Sequence, residues 1–429
     1  MNNIRTTLIL FLLVAASAIA ADSTSVITVS ATLRARIETT DNATHLDSDD
    51  EKGWSYYRNR FGLMAQVYPA SHLELGLRLT NEFRYYFFPT GKEFNFDEIV
   101  IDQLYLKVDS IAHRPLTAIL GRQNITLGEG FVVADGTPLD GSRTAYFNGA
   151  NFQYRFSDRS DLRLIYAYQQ HQDDLLPIID DREKAMSEQD EQAGIAYFTS
   201  SFGEVAYQLY VIQKHNAGTS SVPQADISCP GGRVQFSIAP KLTLTAEGAL
   251  QFGTWGENNH SAQGGYAYLE YKTGLPNYYP GSFTIGGLFL SGDSYTTTDH
   301  EGWEPMFGRW PKWSESYVFA LSREIAPSYW TNLSSIFGKT SVQMATDLTA
   351  GLEYHLLYAP KGNDPMTWYS EFPGGAGNRR GNLAVARVNY KASARLSGHA
   401  IFEYLVPNDF YFPGADNSAW MRMEMLLKL

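Results

Sequence analysis

Cysteine is almost missing from this chain. Of 429 residues only Cys229 carries a thiol, so no internal disulfide can form and no thiolate metal site can be built. An unpaired thiol there reads most simply as an incidental loop residue, and its distance from the N-terminus excludes a lipid-anchored start. Long apolar runs are equally scarce. The one clear run, Leu8 to Val14, falls short of the roughly 20 residues a membrane helix needs, so any membrane span must be made of strands. Positive charge is in deficit: Lys and Arg number 34 against 46 Asp and Glu, a balance that disfavours nucleic acid.

Catalytic motifs are absent too. There is no His-Glu-x-x-His helix, no Gly-x-Ser-x-Gly elbow and no phosphate-binding glycine loop. Gly128-Glu129-Gly130 supplies two glycines of a dinucleotide loop without the third or a βαβ setting. Asp299-His300-Glu301 and Glu304 read as a solvated outer loop, because a metal centre needs fixed ligand geometry and supporting hydrogen bonds. Asp47-Ser48-Asp49-Asp50 lacks the glycine and terminal Glu of an EF-hand. The expectation is therefore a non-enzyme with no cofactor, no metal and no catalytic residue.

What the chain has is alternation. Ile27, Val29, Ala31, Leu33, Ala35 and Ile37 interleave with Thr28, Ser30, Thr32, Arg34, Arg36 and Glu38. Successive side chains of a strand point to opposite faces, so this is one long strand with an apolar and a charged face. Leu73, Leu75, Leu77 and Leu79 repeat the pattern, as do Leu242, Leu244, Ala246, Leu250 and Phe252. Strands of about ten residues, repeated along a chain, are the mark of a transmembrane β-barrel. The 44% hydrophobic content and mean hydropathy of −0.26 agree, since only alternate residues would face lipid.

Met1 to Ala20 has the form of a secretory signal, with Arg5, the Leu8–Val14 core and an Ala18-Ile19-Ala20 cleavage site. Residues 21–429 then form the barrel. Eighteen strands are expected at 26–38, 56–68, 72–85, 98–108, 116–125, 143–156, 161–170, 190–200, 203–213, 231–238, 241–252, 261–272, 281–290, 330–343, 347–358, 381–392, 395–406 and 417–429. Tight links such as Ala239-Pro240 alternate with long ones at 39–55, 86–97, 126–142, 171–189, 214–230, 291–329 and 359–380. Short periplasmic turns opposite long outer loops would put both termini in the periplasm. Residues 315–323 are left inside the 291–329 loop, as a helix over the mouth. Aromatic clusters such as Trp54-Ser55-Tyr56-Tyr57 and Tyr85-Tyr86-Phe87-Phe88 suit girdles at the two interfaces.

Charge is unevenly placed. Asp41, Asp47, Asp49, Asp50 and Glu51 crowd one loop, and Asp173, Asp174, Asp180, Asp181, Glu183, Glu188, Asp190 and Glu191 another. Both are expected at the cell surface, solvated or meeting divalent cations. The polar faces of the first three strands carry Arg34, Arg36, Arg58, Arg60, Arg78 and Arg84 against Glu38, Glu74 and Glu82. Later polar faces add Arg143, Arg155, Arg163 and Arg387, with Glu353 and the other glutamates expected to hold the arginine heads. Two readings stay open. The arginines either cross-link a wall that must be polar anyway, or set anion preference; their excess over glutamate favours the second.

One block goes beyond a generic barrel. Gly121-Arg122-Gln123, Asp135-Gly136-Thr137-Pro138-Leu139-Asp140-Gly141-Ser142-Arg143 and Asn148-Gly149-Ala150 resemble the alginate export family of outer-membrane barrels. Asp102-Gln103-Leu104-Tyr105-Leu106, Trp313-Ser314-Glu315 and Trp330-Thr331-Asn332-Leu333 are also similar to that family. The resemblance implies an 18-stranded barrel in the bacterial outer membrane, passing an anionic, alginate-like uronate saccharide through an arginine-rich lumen. It also implies trimmed loops or a missing plug, because the chain is short for the family's exporter. Strict alternation puts Arg122 on the face of Leu116, Ala118 and Leu120, so a bulge must re-aim it or it sits at the rim. The expected surroundings are membrane lipid and lipopolysaccharide, export or uptake partners on the periplasmic side, and a monomeric state. A general small-solute porin is the alternative, and an outer-membrane enzyme a weaker one.

Overall fold

The alternating segments pair in sequence order and close on themselves. The computed structural model describes residues 26–42, 46–49, 53–134, 146–220, 222–274, 280–308, 313–316, 330–362 and 374–429. Its strands are β1 (Val26–Asp41), β2 (Trp54–Ala70), β3 (Leu73–Phe88), β4 (Ile99–Val108), β5 (Leu116–Gln123), β6 (Phe147–Ser157), β7 (Ser160–Gln169), β8 (Glu191–Phe202) and β9 (Val205–Asn216). They continue as β10 (Ala225–Ala239), β11 (Leu242–Trp255), β12 (Asn258–Thr273), β13 (Gly281–Leu290), β14 (Leu333–Ala345), β15 (Leu348–Tyr358), β16 (Arg379–Tyr390), β17 (Leu396–Pro407) and β18 (Ser418–Lys428). Each is antiparallel to the next, and β18 returns to β1 from Thr32↔Lys428 to Asp41↔Ala419. Closure removes the edge strands, so the ladder satisfies its own backbone polar groups.

The outward face is apolar and uncovered. Leu164, Tyr166, Leu250, Ile285, Ile336 and Leu352 are 50–63% exposed. A continuous apolar exterior of this kind is suited to lipid. All eighteen expected strands are present, with one substantial shift. β10 begins at Ala225, which shortens the expected 214–230 loop to 217–224 and moves Cys229 into a strand, where it is fully buried. Pro230 and the Gly231-Gly232 pair obscured that strand in the sequence. The β10–β11 register passes from Ser228↔Phe252 to Gly231↔Ala249, so the ladder lapses where proline has no N–H to give.

The interior is divided. Around β1–β3, β17 and β18 it is charged; around β7–β14 two chain segments enter the barrel and pack an apolar cluster there beside buried polar groups. Phe131, Val132 and Val133 come from residues 124–134, and Trp303, Met306 and Phe307 from 303–308; all are buried. The segments pair in parallel at Val133↔Phe307, with Ala134 N–H donating to Phe307 O at 3.0 Å and Phe307 N–H to Val132 O at 2.9 Å. Phe131 stacks on Trp303 at 5.3 Å. Gly264 of β12 leaves the space that Trp303 fills, since a Cβ there would lie 2.7 Å from its ring. Of the two alternatives expected from length, trimmed loops or a missing plug, the second does not hold, because two segments occupy the interior.

Three loop expectations change as well. Asp173 and Glu191 are sealed inside the protein, while Asp174, Asp180, Asp181 and Glu183 stay exposed. The sealed carboxylates each meet a buried cation, Arg122 for Asp173 and Lys214 for Glu191. His300 and Glu304, expected in a solvated loop, are buried, the latter completely. Asp47 and Asp49 are exposed as expected. Asp50 and Glu51, the signal segment 1–20 and most of 315–323 lie outside the described residues.

Candidate pore lining

Strand register builds the charged wall. In an antiparallel pair, directly opposed residues share a face, so each row crosses several strands. One row runs His399, Glu424, Arg36, Arg58, Arg84 across β17, β18, β1, β2 and β3. The row above holds Arg422, Glu38, Tyr56 and Tyr86, and the row below Arg34, Arg60 and Glu82. Cations and carboxylates interlock across these rows. Arg36 donates to Glu424 from Nε at 2.8 Å and from Nη2 at 2.5 Å, and to Glu38 from Nη1 at 3.2 Å. Arg58 Nε donates to Glu82 Oε1 at 2.8 Å, and Arg34 Nη2 to Glu82 Oε2 at 3.3 Å. Arg422 reaches Glu38 at 3.3 Å and Glu315 at 3.0 Å. Arg84 lies over the Tyr56 ring at 5.0 Å.

Sequence reasoning missed three members of this wall. Asp102 is fully buried and lies 3.4 Å from Arg78 Nε and 3.7 Å from Arg60 Nη2. A register break between Arg78↔Gln103 and Leu79↔Ile101 brings it inward, which simple alternation does not show. Arg422 and Glu424 were legible as the polar face of the closing strand; joining β18 to β1 is what makes them neighbours of Arg36.

Two glutamates expected to steady arginines do not. Glu74 accepts from Gln66 Nε2 and Tyr105 Oη, each at 2.7 Å, with Lys107 at 3.9 Å. Glu353 meets Lys339 at 2.5 Å and His355 at 3.5 Å. Both lie on rows whose nearest cation is lysine or histidine. Among the later arginines, Arg387 is partly buried on the inward face of β16, Arg163 is partly exposed and 4.0 Å from Asp161, and Arg155 is exposed near the β6–β7 turn.

Arg122 stands apart from the wall. Its ladder partner is Asn148, to which Nε donates at 2.8 Å, and its other donors go to Ile101 O at 2.9 Å and Asp173 at 2.7 and 3.0 Å. The Tyr146 ring covers it at 3.9 Å. It is closed off at the rim by the 170–190 connection. Gly121 before it has φ +116°, and a Cβ there would strike Leu104 O at 2.3 Å, so the position demands glycine. Gly149 opposite is as confined: a Cβ there would lie 1.9 Å from Tyr166 O. Gln123 folds back to Ile119 O at 3.1 Å. Asp135, Gly136, Leu139, Asp140, Gly141 and Arg143 lie outside the described residues.

The entering segments are held by a second polar set that the sequence did not reveal. Lys214, fully buried on β9, reaches Glu304 at 2.8 Å, Glu191 at 3.3 Å and Met306 O at 2.7 Å. Arg233 on β10 reaches Glu129 at 2.7 Å. Ser314 and Ser316 hydroxyls donate to Glu403 at 2.7 and 2.6 Å. His300 lies 2.8 Å from His260 between their Nδ1 atoms and stacks on Trp255 at 4.2 Å. Burial pushes the His300 imidazole down to about 4.

A closed antiparallel barrel with an apolar exterior and a charged, loop-narrowed interior defines a channel of the bacterial outer membrane. The chain belongs to the alginate export family, whose model matches residues 25–395. Solved structures of similar fold include Pseudomonas aeruginosa OccK2 (OpdF) in complex with glucuronate, at 12% identity over 94% of this chain and 98% of that one, TM-score 0.58. The outer membrane protein OprD from the same organism is also 12% identical over 94% of this chain and 93% of its own, TM-score 0.56. OpdK with vanillate, again from that organism, is 12% identical over 94% and 98%, TM-score 0.55. Among curated proteins none matches the sequence. Channels of this family are not enzymes.

Proposed function

We propose that this channel passes anionic saccharides of the uronate class, using the arginine wall of β1–β3 and β18 as its selectivity surface. The carrying observation is Arg58. Its guanidinium is buried on the central row, Nε is engaged by Glu82, and Nη2 has no hydrogen-bond partner among the described residues. An unfilled donor of a buried arginine is stabilised by an incoming carboxylate, and arginine stays charged at any working pH. Partial neutralisation by Glu38, Glu82, Asp102 and Glu424 keeps each site weak, which conduction requires. The structure of OccK2 with glucuronate supports the same ligand class at the level of fold. On this reading residues 1–20 are a removed signal, both termini are periplasmic, and the channel acts as a monomer surrounded by lipid and lipopolysaccharide.

The test is conductance of the reconstituted chain in planar bilayers, comparing wild type with a combined Arg58→Ala, Arg60→Ala and Arg78→Ala variant. The variant should lose anion preference and need a higher glucuronate concentration for half-block. Wild-type selectivity in a folded, heat-modifiable variant would leave the arginines structural and favour a general small-solute porin.

A further inference from the structure

Glu129 is the tip of the first entering segment. It stands between Gly128 and Gly130, with φ of +55° and +80°, a pair of left-handed positions that make a tight reversal. The reversal brings the tip against the wall of β8–β12. A Cβ on Gly128 would lie 3.0 Å from Tyr197 Oη and 3.2 Å from Gln208 Oε1. There, one carboxylate oxygen of Glu129, Oε1, accepts from both Arg233 Nη2 at 2.7 Å and Tyr268 Oη at 2.8 Å. Arg233 has a further donor in reserve. Its Nε is buried and has no hydrogen-bond partner among the described residues. A guanidinium presents paired donors in a plane that matches a carboxylate, and Glu129 engages one of them.

We propose that Arg233 and Tyr268 form a second carboxylate subsite in the channel, and that Glu129 is its resident occupant. A uronate carboxylate displaces Glu129 by taking Nη2 and Nε of Arg233 together, with Tyr268 Oη as a third donor. The ligand class rests on the reading of the channel given above; the subsite itself rests on the Glu129 contacts. Glu129 is reachable, with about a quarter of its side chain exposed, and Arg163 on β7 lies partly exposed on the same side of the barrel, three strands from Arg233. The rest of the entering segment stays anchored through the Val133–Phe307 ladder, so displacement moves the glycine-flanked tip alone.

The experiment uses the full barrel in planar bilayers with glucuronate as blocker and glucose as neutral control. Glu129→Gln keeps the shape and removes the competing charge. It should lower the half-blocking glucuronate concentration severalfold and leave glucose unchanged. Adding Arg233→Gln should abolish that gain, with Arg233→Lys as the charge-keeping variant that lacks the fork. Wild-type block in Glu129→Gln would overturn the proposal. So would a gain that survives Arg233→Gln, or one shared by glucose. The arginine-wall variant is read separately, so a wall that proves structural leaves a Glu129-dependent effect intact and the two failures stay distinguishable.

Discussion

Arg36 and Glu424 lock the first strand to the last. Two N–H donors of one guanidinium converge on one carboxylate oxygen, at 2.8 and 2.5 Å, across 388 positions of sequence. The contact sits on the seam that turns a sheet into a barrel. Removing one partner of a buried pair leaves the other charge unanswered, at a cost of about 3–5 kcal/mol. Arg36 keeps Glu38 at 3.2 Å, so Glu424→Ala should lower stability by less than that, about 1–3 kcal/mol, in urea titration of the barrel folded into lipid vesicles. An Arg36→Met, Glu424→Met double variant should cost less than Glu424→Ala alone. If the single variant unfolds at the wild-type midpoint, the seam is held by its backbone ladder alone.

Lys214 gives the corresponding test for the second entering segment. Its ammonium faces Glu304, Glu191 and the Met306 carbonyl, with no exposure of either carboxylate side chain. Lys214→Met removes the ammonium that faces both buried carboxylates. The amides of Trp303 and Phe307, bonded to Ser291 O and Val132 O at 2.9 Å each, should then exchange hydrogen faster. Single-channel conductance should rise as the segment loosens. Unchanged exchange at both amides would mean that the aromatic packing of Phe131 on Trp303 suffices.

How much of this was legible in the sequence follows from the range of each interaction. Alternation along β1, β3 and β11 is local, so the strand count and the inward arginines could be read residue by residue. Arg36 opposite Arg58 needed only a hairpin. The partners of Glu74 and Glu353 depend on which lysine or tyrosine the neighbouring row supplies, and alternation does not fix the row. Asp102 turned inward through a break in register, and Cys229 entered a strand whose proline and glycines resembled a loop. The entering segments were hidden for another reason. Glu129, Glu304 and Lys214 carry charges that look solvated in sequence, and only closure of the barrel brings each to its partner.

The His300 contact makes the loop after β13 sensitive to acid. Burial against Trp255 and His260 pushes its imidazole down to about 4 from the ordinary 6.5, so the folded loop resists a proton that the open loop accepts. The open form binds more protons between those values, and stability falls wherever that is so. Anchoring of the loop is therefore fully present above about 6.5 and lost as pH falls toward 4. Amides near His300, whose own N–H donates to Asn259 O at 2.8 Å, should lose protection at pH 5 relative to pH 7.5 after correction for intrinsic rates. His300→Gln should flatten that dependence. Equal protection at both pH values would show that the stack does not hold the loop.

The Arg122–Asp173 pair should control how firmly the 170–190 connection lies on the rim. Asp173 takes two donors from Arg122 and is also reached by the Tyr146 hydroxyl. Farther along, the connection is tied by Ile99–Ile179 backbone bonds at 3.0 and 3.1 Å and by Lys184 to Glu98 at 2.7 Å. Arg182 and Lys184 are accessible to trypsin once the backbone around them opens, and cleavage then follows the open population. Loss of a buried pair worth about 3 kcal/mol raises that population on the order of a hundredfold. Asp173→Ala should speed trypsin cleavage after these residues accordingly, on gels of barrels in vesicles, while the strands stay intact. Arg122→Lys, which keeps the charge but loses the fork, should fall between wild type and Asp173→Ala. Wild-type cleavage in Asp173→Ala would assign the hold to the Ile179 and Lys184 contacts instead.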